Sequence, residues 1–80
     1  MSIIAWPNPV ADRLTIQVDD AAENLIINIL DITGRSVWKG NFPPGSTVEF
    51  VDVSTFGPGM YSILAGSNSF RYVEKLVVLE

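Results

Sequence analysis

The sequence predicts an all-β fold, a seven-stranded antiparallel β-sandwich of immunoglobulin-like kind. Three observations lead there. Apolar and polar residues alternate with period two along most of the chain, the signature of half-buried strands. These runs are separated by clusters of Gly, Pro, Asn and Asp with turn chemistry. No segment repeats apolar residues at the 3.6-residue period of a helix that buries one stripe. Short strands at intervals of about 8–12 residues favour a sandwich over the alternative, a small barrel.

The first element is a short strand, IIAW (3–6), which runs into Pro7-Asn8-Pro9. Neither proline has an N–H for a sheet ladder, and Asn8, preceding a proline, is pushed toward extended geometry. The segment is expected to be stiff, extended and unpaired in mid-sheet. RLTIQVD (13–19) sends Leu14, Ile16 and Val18 to one face and Arg13, Thr15 and Gln17 to the other. The loop DDAAEN (19–24) has room for one helical turn and no more. NLIINILD (24–31) is apolar on both faces, as a central strand is. DITG (31–34) puts Asp first and Gly last in a type I turn, giving a hairpin with a bulge at Gly34. SVWKGNF (36–42), TVEFVDV (47–53), MYSILAG (60–66) and FRYVEKLVVL (70–79) complete the set, divided by PPGS (43–46), GPG (57–59) and GSNS (66–69).

A chain of 80 residues is expected to form a single domain over 1–80, with 3–78 its core and 1–2 and 79–80 additions foreign to it. It is 48% hydrophobic and 18% charged, which excludes a disordered chain. Net charge is −4 and the five basic residues are scattered, so no nucleic-acid partner is expected. No apolar run approaches the roughly 20 residues of a membrane-spanning helix. The amino end lacks the charged and apolar regions of an export signal, so none of its own is expected. With no cysteine, backbone pairing and core packing must supply the stability that disulfides give many small extracellular domains.

Reactive chemistry is not expected. Histidine and cysteine are missing, and serines and threonines fall in turns and on polar strand faces with no base nearby. Asp19, Asp20 and Glu23 have the clustered oxygens calcium favours. A solvated loop with helix-capping carboxylates is the preferred reading, with no metal and no cofactor. Asp31 and Arg35 flank one turn and pair across it, an exposed contact contributing at most about 1 kcal/mol. Trp6, Trp38, Phe42, Tyr61 and Tyr72 suggest a sugar-stacking platform. Core filling is preferred for them, with Trp6 plugging one end of the sandwich.

Four signals stand in a specific order: WPNP (6–9), LDITGRSV (30–37), VDVSTFGPGMYSI (51–63) and EKLVV (74–78). That order and spacing resemble the C-terminal sorting domain of the type IX (Por) secretion system over nearly the whole chain. Each motif alone is common; the four in sequence are specific. The resemblance implies a non-enzymatic immunoglobulin-like sandwich at the carboxyl end of a larger Bacteroidetes cargo protein. It also implies recognition by the outer-membrane secretion machinery, export through the periplasm to the cell surface or medium, and removal by a sortase-like cysteine peptidase. Pro7, Asn8 and Pro9 match the entry signature, and the lead-in would be the junction with the N-terminal cargo domain, keeping the linker exposed. Asp31, Gly34 and Arg35 match the central hairpin, Pro58, Gly59 and Tyr61 the Pro-Gly-x-Tyr segment, and Lys75 the terminal lysine. Phe56-Gly57 depart from the leucine or alanine usual there.

Gly34 and Gly59 are expected to adopt positive φ. Tyr61 is expected to pack one end of the core while its hydroxyl finds a partner. Arg35 and Lys75 are left as the recognition residues. The terminal strand VEKLVVL and the edge beside it are the expected docking surface, and that edge also suggests a homodimer by edge pairing. The rivals are a carbohydrate-binding module and an adhesin-type spacer of a surface protein.

Overall fold

In the computed structural model, which describes residues 1–80, the chain forms seven strands and no helix. They are β1 (Ser2–Trp6), β2 (Arg13–Ala21), β3 (Leu25–Leu30), β4 (Ser36–Phe42), β5 (Gly45–Asp52), β6 (Gly59–Gly66) and β7 (Arg71–Val78). They build two antiparallel sheets, one ordered β1-β2-β5 and the other β4-β3-β6-β7. The expected all-β sandwich of seven strands is therefore the observed one, and the expected strand limits hold to within two residues.

Period-two alternation decides what enters the core. Leu14, Ile16 and Val18 of β2 meet Leu25, Ile27 and Ile29 of β3, Ile63 of β6 and Leu76 of β7 in one apolar cluster. No polar side chain is buried with them. β3 lies between β4 and β6 in its sheet, so Leu25, Ile27 and Ile29 are buried on the inner face while Ile26 and Leu30, on the outer face, are half-covered between neighbouring strands. Phe42, at the end of β4, is fully buried, whereas the indole of Trp38 lies over Gly40, where a Cβ would clash with the Cη2 edge of the ring. At one end of the sandwich the loop residues Val10 and Val53 close the cluster, both fully buried. The Val53 N–H donates to the carbonyl of Asp12 at 2.8 Å and so ties the two loops together.

Two expectations fail here. The loop after Val18 contains no helical turn: β2 continues through Asp19 and Asp20 to Ala21, which pairs with Gly45 beyond an irregularity in register. Asp20 absorbs the irregularity with φ of 56°, and the buried Ala21 explains why the strand is worth extending. Nor is Trp6 a plug. The register sets Ala5 opposite Ile16 on the inner face, so alternation turns Trp6 outward, where it is 42% exposed. It stands beside Thr15, with Phe50 on the far side of that residue.

Candidate functional site

The β3–β4 hairpin is organised by one carboxylate. The Gly34 N–H donates to the Asp31 carbonyl and the Asp31 N–H to the Arg35 carbonyl, each at 2.9 Å. Asp31 Oδ1 accepts from the Thr33 N–H at 2.9 Å, the Thr33 hydroxyl at 2.6 Å and the Arg35 N–H at 3.0 Å. Gly34 supplies φ of 90°, as the expected bulge requires. The Thr33 hydroxyl, followed by these backbone donors and the nearby Arg35 charge, holds the Asp31 carboxyl below its ordinary pKa. Asp31 thus works as a turn strut. Arg35 Nε sits 3.3 Å from Asp31 Oδ2, yet the arginine side chain is 78% exposed and its remaining donors face solvent.

The β5–β6 connection lies beside this hairpin. Asp52 repeats the device of Asp31, its Oδ1 accepting from the N–H and hydroxyl of Ser54. Gly59 enters β6 with φ of 148°, as expected for that position. Tyr61 packs against Phe56 with ring centroids 5.6 Å apart, and its hydroxyl donates to the Gly57 carbonyl. A tyrosine near the start of the sixth strand, bonded back to the preceding corner, is a recurring lock of immunoglobulin-like sandwiches. Pro58 is exposed between these anchors.

The third component comes from the amino end. Pro7-Asn8-Pro9 bends across the open side of β7, with both X–Pro peptide bonds cis. Asn8 Nδ2 donates to the Lys75 carbonyl at 2.8 Å while Asn8 Oδ1 accepts from the Val77 N–H at 3.1 Å. Val10 continues the contact in parallel, its N–H donating to the Val77 carbonyl at 2.9 Å and its carbonyl accepting from the Leu79 N–H at 2.8 Å. A side-chain amide here replaces a strand. The expected extended junction is corrected: β1 precedes this segment and is fully paired, and Pro-Asn-Pro is the connection from β1 to β2. Polypeptide joined ahead of Ser2 leaves from the opposite end, beside Asp19.

All four motifs therefore meet at one end of the sandwich. Asp31, Gly34, Tyr61 and Lys75 line a shallow cleft of about 350 Å³. Asp31, Arg35, Gly57 and Tyr61 line its neighbour, of about 440 Å³. The register runs Leu30, Ser62, Lys75 across three strands and sets the lysine on the outer face. Arg35 makes the one ion pair, so Lys75 has no acidic partner.

The other candidates separate. Asp19 Oδ2 accepts from Gln17 and Ser2, Glu23 Oε1 accepts from the hydroxyls of Ser67 and Ser69, and no three acidic side chains converge as metal ligands. The two serine hydroxyls lower the Glu23 pKa and tie the β2–β3 and β6–β7 turns together. The five aromatics of the sugar platform do not share a surface, since Phe42 is buried and Trp6 belongs to the other sheet. Thr33 and Ser54, whose hydroxyls donate to the Asp31 and Asp52 carboxylates, and Val10, which bonds the β7 edge, are functional positions that the motifs do not single out. The repeated Asp-x-Thr/Ser spacing, at 31–33 and 52–54, is the signal that finds the first two.

A family model described as the secretion system C-terminal sorting domain matches residues 4–79 of the chain. No curated protein matches it.

Proposed function

The chain belongs to the secretion system C-terminal sorting domain family, and from that premise we propose how its surface divides the work of export. The domain is a type IX secretion sorting signal, a non-catalytic tag on an N-terminal cargo. It engages the secretion machinery and directs export across the outer membrane to the cell surface or extracellular space. Recognition is assigned to the motif end, with Arg35 and Lys75 as the cations that contact the machinery. The observation that carries this reading is the convergence of motifs more than 60 positions apart, such as Asn8 and Lys75, which are 67 positions apart, on one cleft-bearing end.

Removal by a sortase-like cysteine peptidase is the second part of the proposal. A peptidase binds its substrate as an unpaired extended segment. β1 is paired along its whole length, so the cut falls ahead of Ser2. The molecule is 36 Å long, which separates that end from the clefts and lets the tag stay held while it is cut.

Deleting the terminal strand is a poor test, because it also removes the buried Leu76 and Val78. A reporter fused ahead of this chain should instead be compared with its Arg35→Ala/Lys75→Ala variant in a type IX-competent cell. The folded double variant is expected to leave the reporter in the periplasm. Normal export of that folded variant would remove the recognition assignment.

A further inference from the structure

The open part of the β7 edge has a defined extent and a defined charge. β6 is the only strand beside β7, and the Lys75 carbonyl and Val77 N–H face away from it toward Asn8. By the two-residue period of the ladder, the N–H groups of Val73 and Lys75 and the carbonyls of Arg71 and Val73 face the same way. No backbone bond from a loop reaches them. The edge is thus closed by Asn8 and Val10 from the Lys75 carbonyl onward and open before it. An open edge is a template for another strand.

Charge narrows what that strand is. Lys39, Arg71 and Lys75 all lie on the outer face of the four-stranded sheet, three of the five cations of a chain whose net charge is −4. Glu74, the carboxylate of β7, faces the opposite side and accepts from the Tyr72 hydroxyl. Val73, between the two cations, is 61% exposed. A second copy of this chain paired antiparallel about Val73 would set Arg71 of each against Lys75 of the other. Like charges directly opposite are destabilising, so the edge opposes its own copy.

We propose that Arg71–Lys75 is a strand-addition site for an extended acidic segment of a partner protein. The segment carries acidic, apolar and acidic side chains at alternate positions opposite Arg71, Val73 and Lys75. This rests on the sorting role and names the kind of polypeptide the tag grips. The four outward backbone groups give affinity, the alternate side chains give selectivity, and the Asn8 cap marks where the added strand must stop.

Val73→Pro isolates the site. The Val73 N–H faces away from β6, so proline there leaves the internal ladder intact while deleting one outward donor. Reporter export by the folded variant is expected to fall about tenfold. Wild-type export from folded Val73→Pro overturns strand addition and leaves sorting standing, whereas a wild-type domain that exports no reporter overturns sorting itself. Should proline prevent folding, the labelled wild-type chain is titrated with the capped peptide Glu-Thr-Val-Thr-Glu and followed by amide NMR. Shifts and slowed exchange at the Val73 and Lys75 amides, weakening with salt and absent with Lys-Thr-Val-Thr-Lys, are expected. Silence at those two amides, or an equal response to the lysine peptide, overturns the proposal.

Discussion

Replacing Asn8 by alanine tests the least obvious contact in the molecule, a side-chain amide standing in for an edge strand. Two hydrogen bonds disappear, one of 2.8 Å to the Lys75 carbonyl and one of 3.1 Å from the Val77 N–H. Each is worth about 1 kcal/mol net, and both freed backbone groups gain access to water, so the expected loss is about 1–2 kcal/mol. A chain of this size has about 4–12 kcal/mol in total. The loss should therefore lower Tm by roughly 5–15 °C. Urea unfolding at an unchanged m-value measures the stability, and hydrogen exchange at the Val77 amide locates it. Asn8→Asp separates the two bonds: it keeps an acceptor for Val77 but sets a carboxylate against the Lys75 carbonyl, and should be at least as destabilising as alanine. If Asn8→Ala unfolds at the wild-type midpoint with the Val77 amide still protected, the amide does not close this edge. The account of where β7 is open would then fall as well.

Phe42→Ala empties a fully buried site and should cost about 3–5 kcal/mol, a large share of the total, seen as a collapse of the urea midpoint. Gly40→Ala drives a methyl into the Trp38 ring, so about 1–3 kcal/mol of destabilisation should accompany a shift in indole fluorescence. Loss of stability without a fluorescence change would place the strain elsewhere. Glu23, Asp31 and Asp52 all have folded-state pKa values below their ordinary ones. The stability they contribute is fully present above the ordinary values of 4.5, 3.8 and 3.8, and is lost as pH falls through the lower folded values. Urea midpoints should stay level down to about pH 5 and drop below pH 4, with a smaller drop in Ser67→Ala/Ser69→Ala.

Position by position, the sequence by itself determined whatever depends on neighbours in the chain. Period two in RLTIQVD and NLIINILD named both the strands and the side chains they bury, because Cβ atoms alternate on any extended backbone. The Asp31–Gly34 turn was legible for the same reason, since its donors and acceptor lie within five residues. Four ordered motifs were enough to indicate the family. Tertiary structure alone decided what depends on register and on which chain segments meet. Trp6 looked like a plug until pairing with β2 gave the inward position to Ala5. Pro-Asn-Pro looked like a free lead-in until Asn8 met a strand 67 positions away. The half-open edge and its uncompensated cations exist only once β7 has a neighbour on one side and a cap on part of the other. Local alternation fixes which way a side chain points relative to its own strand, and says nothing of what stands opposite; that is set by the closure of long loops, for which no short stretch of sequence carries the information.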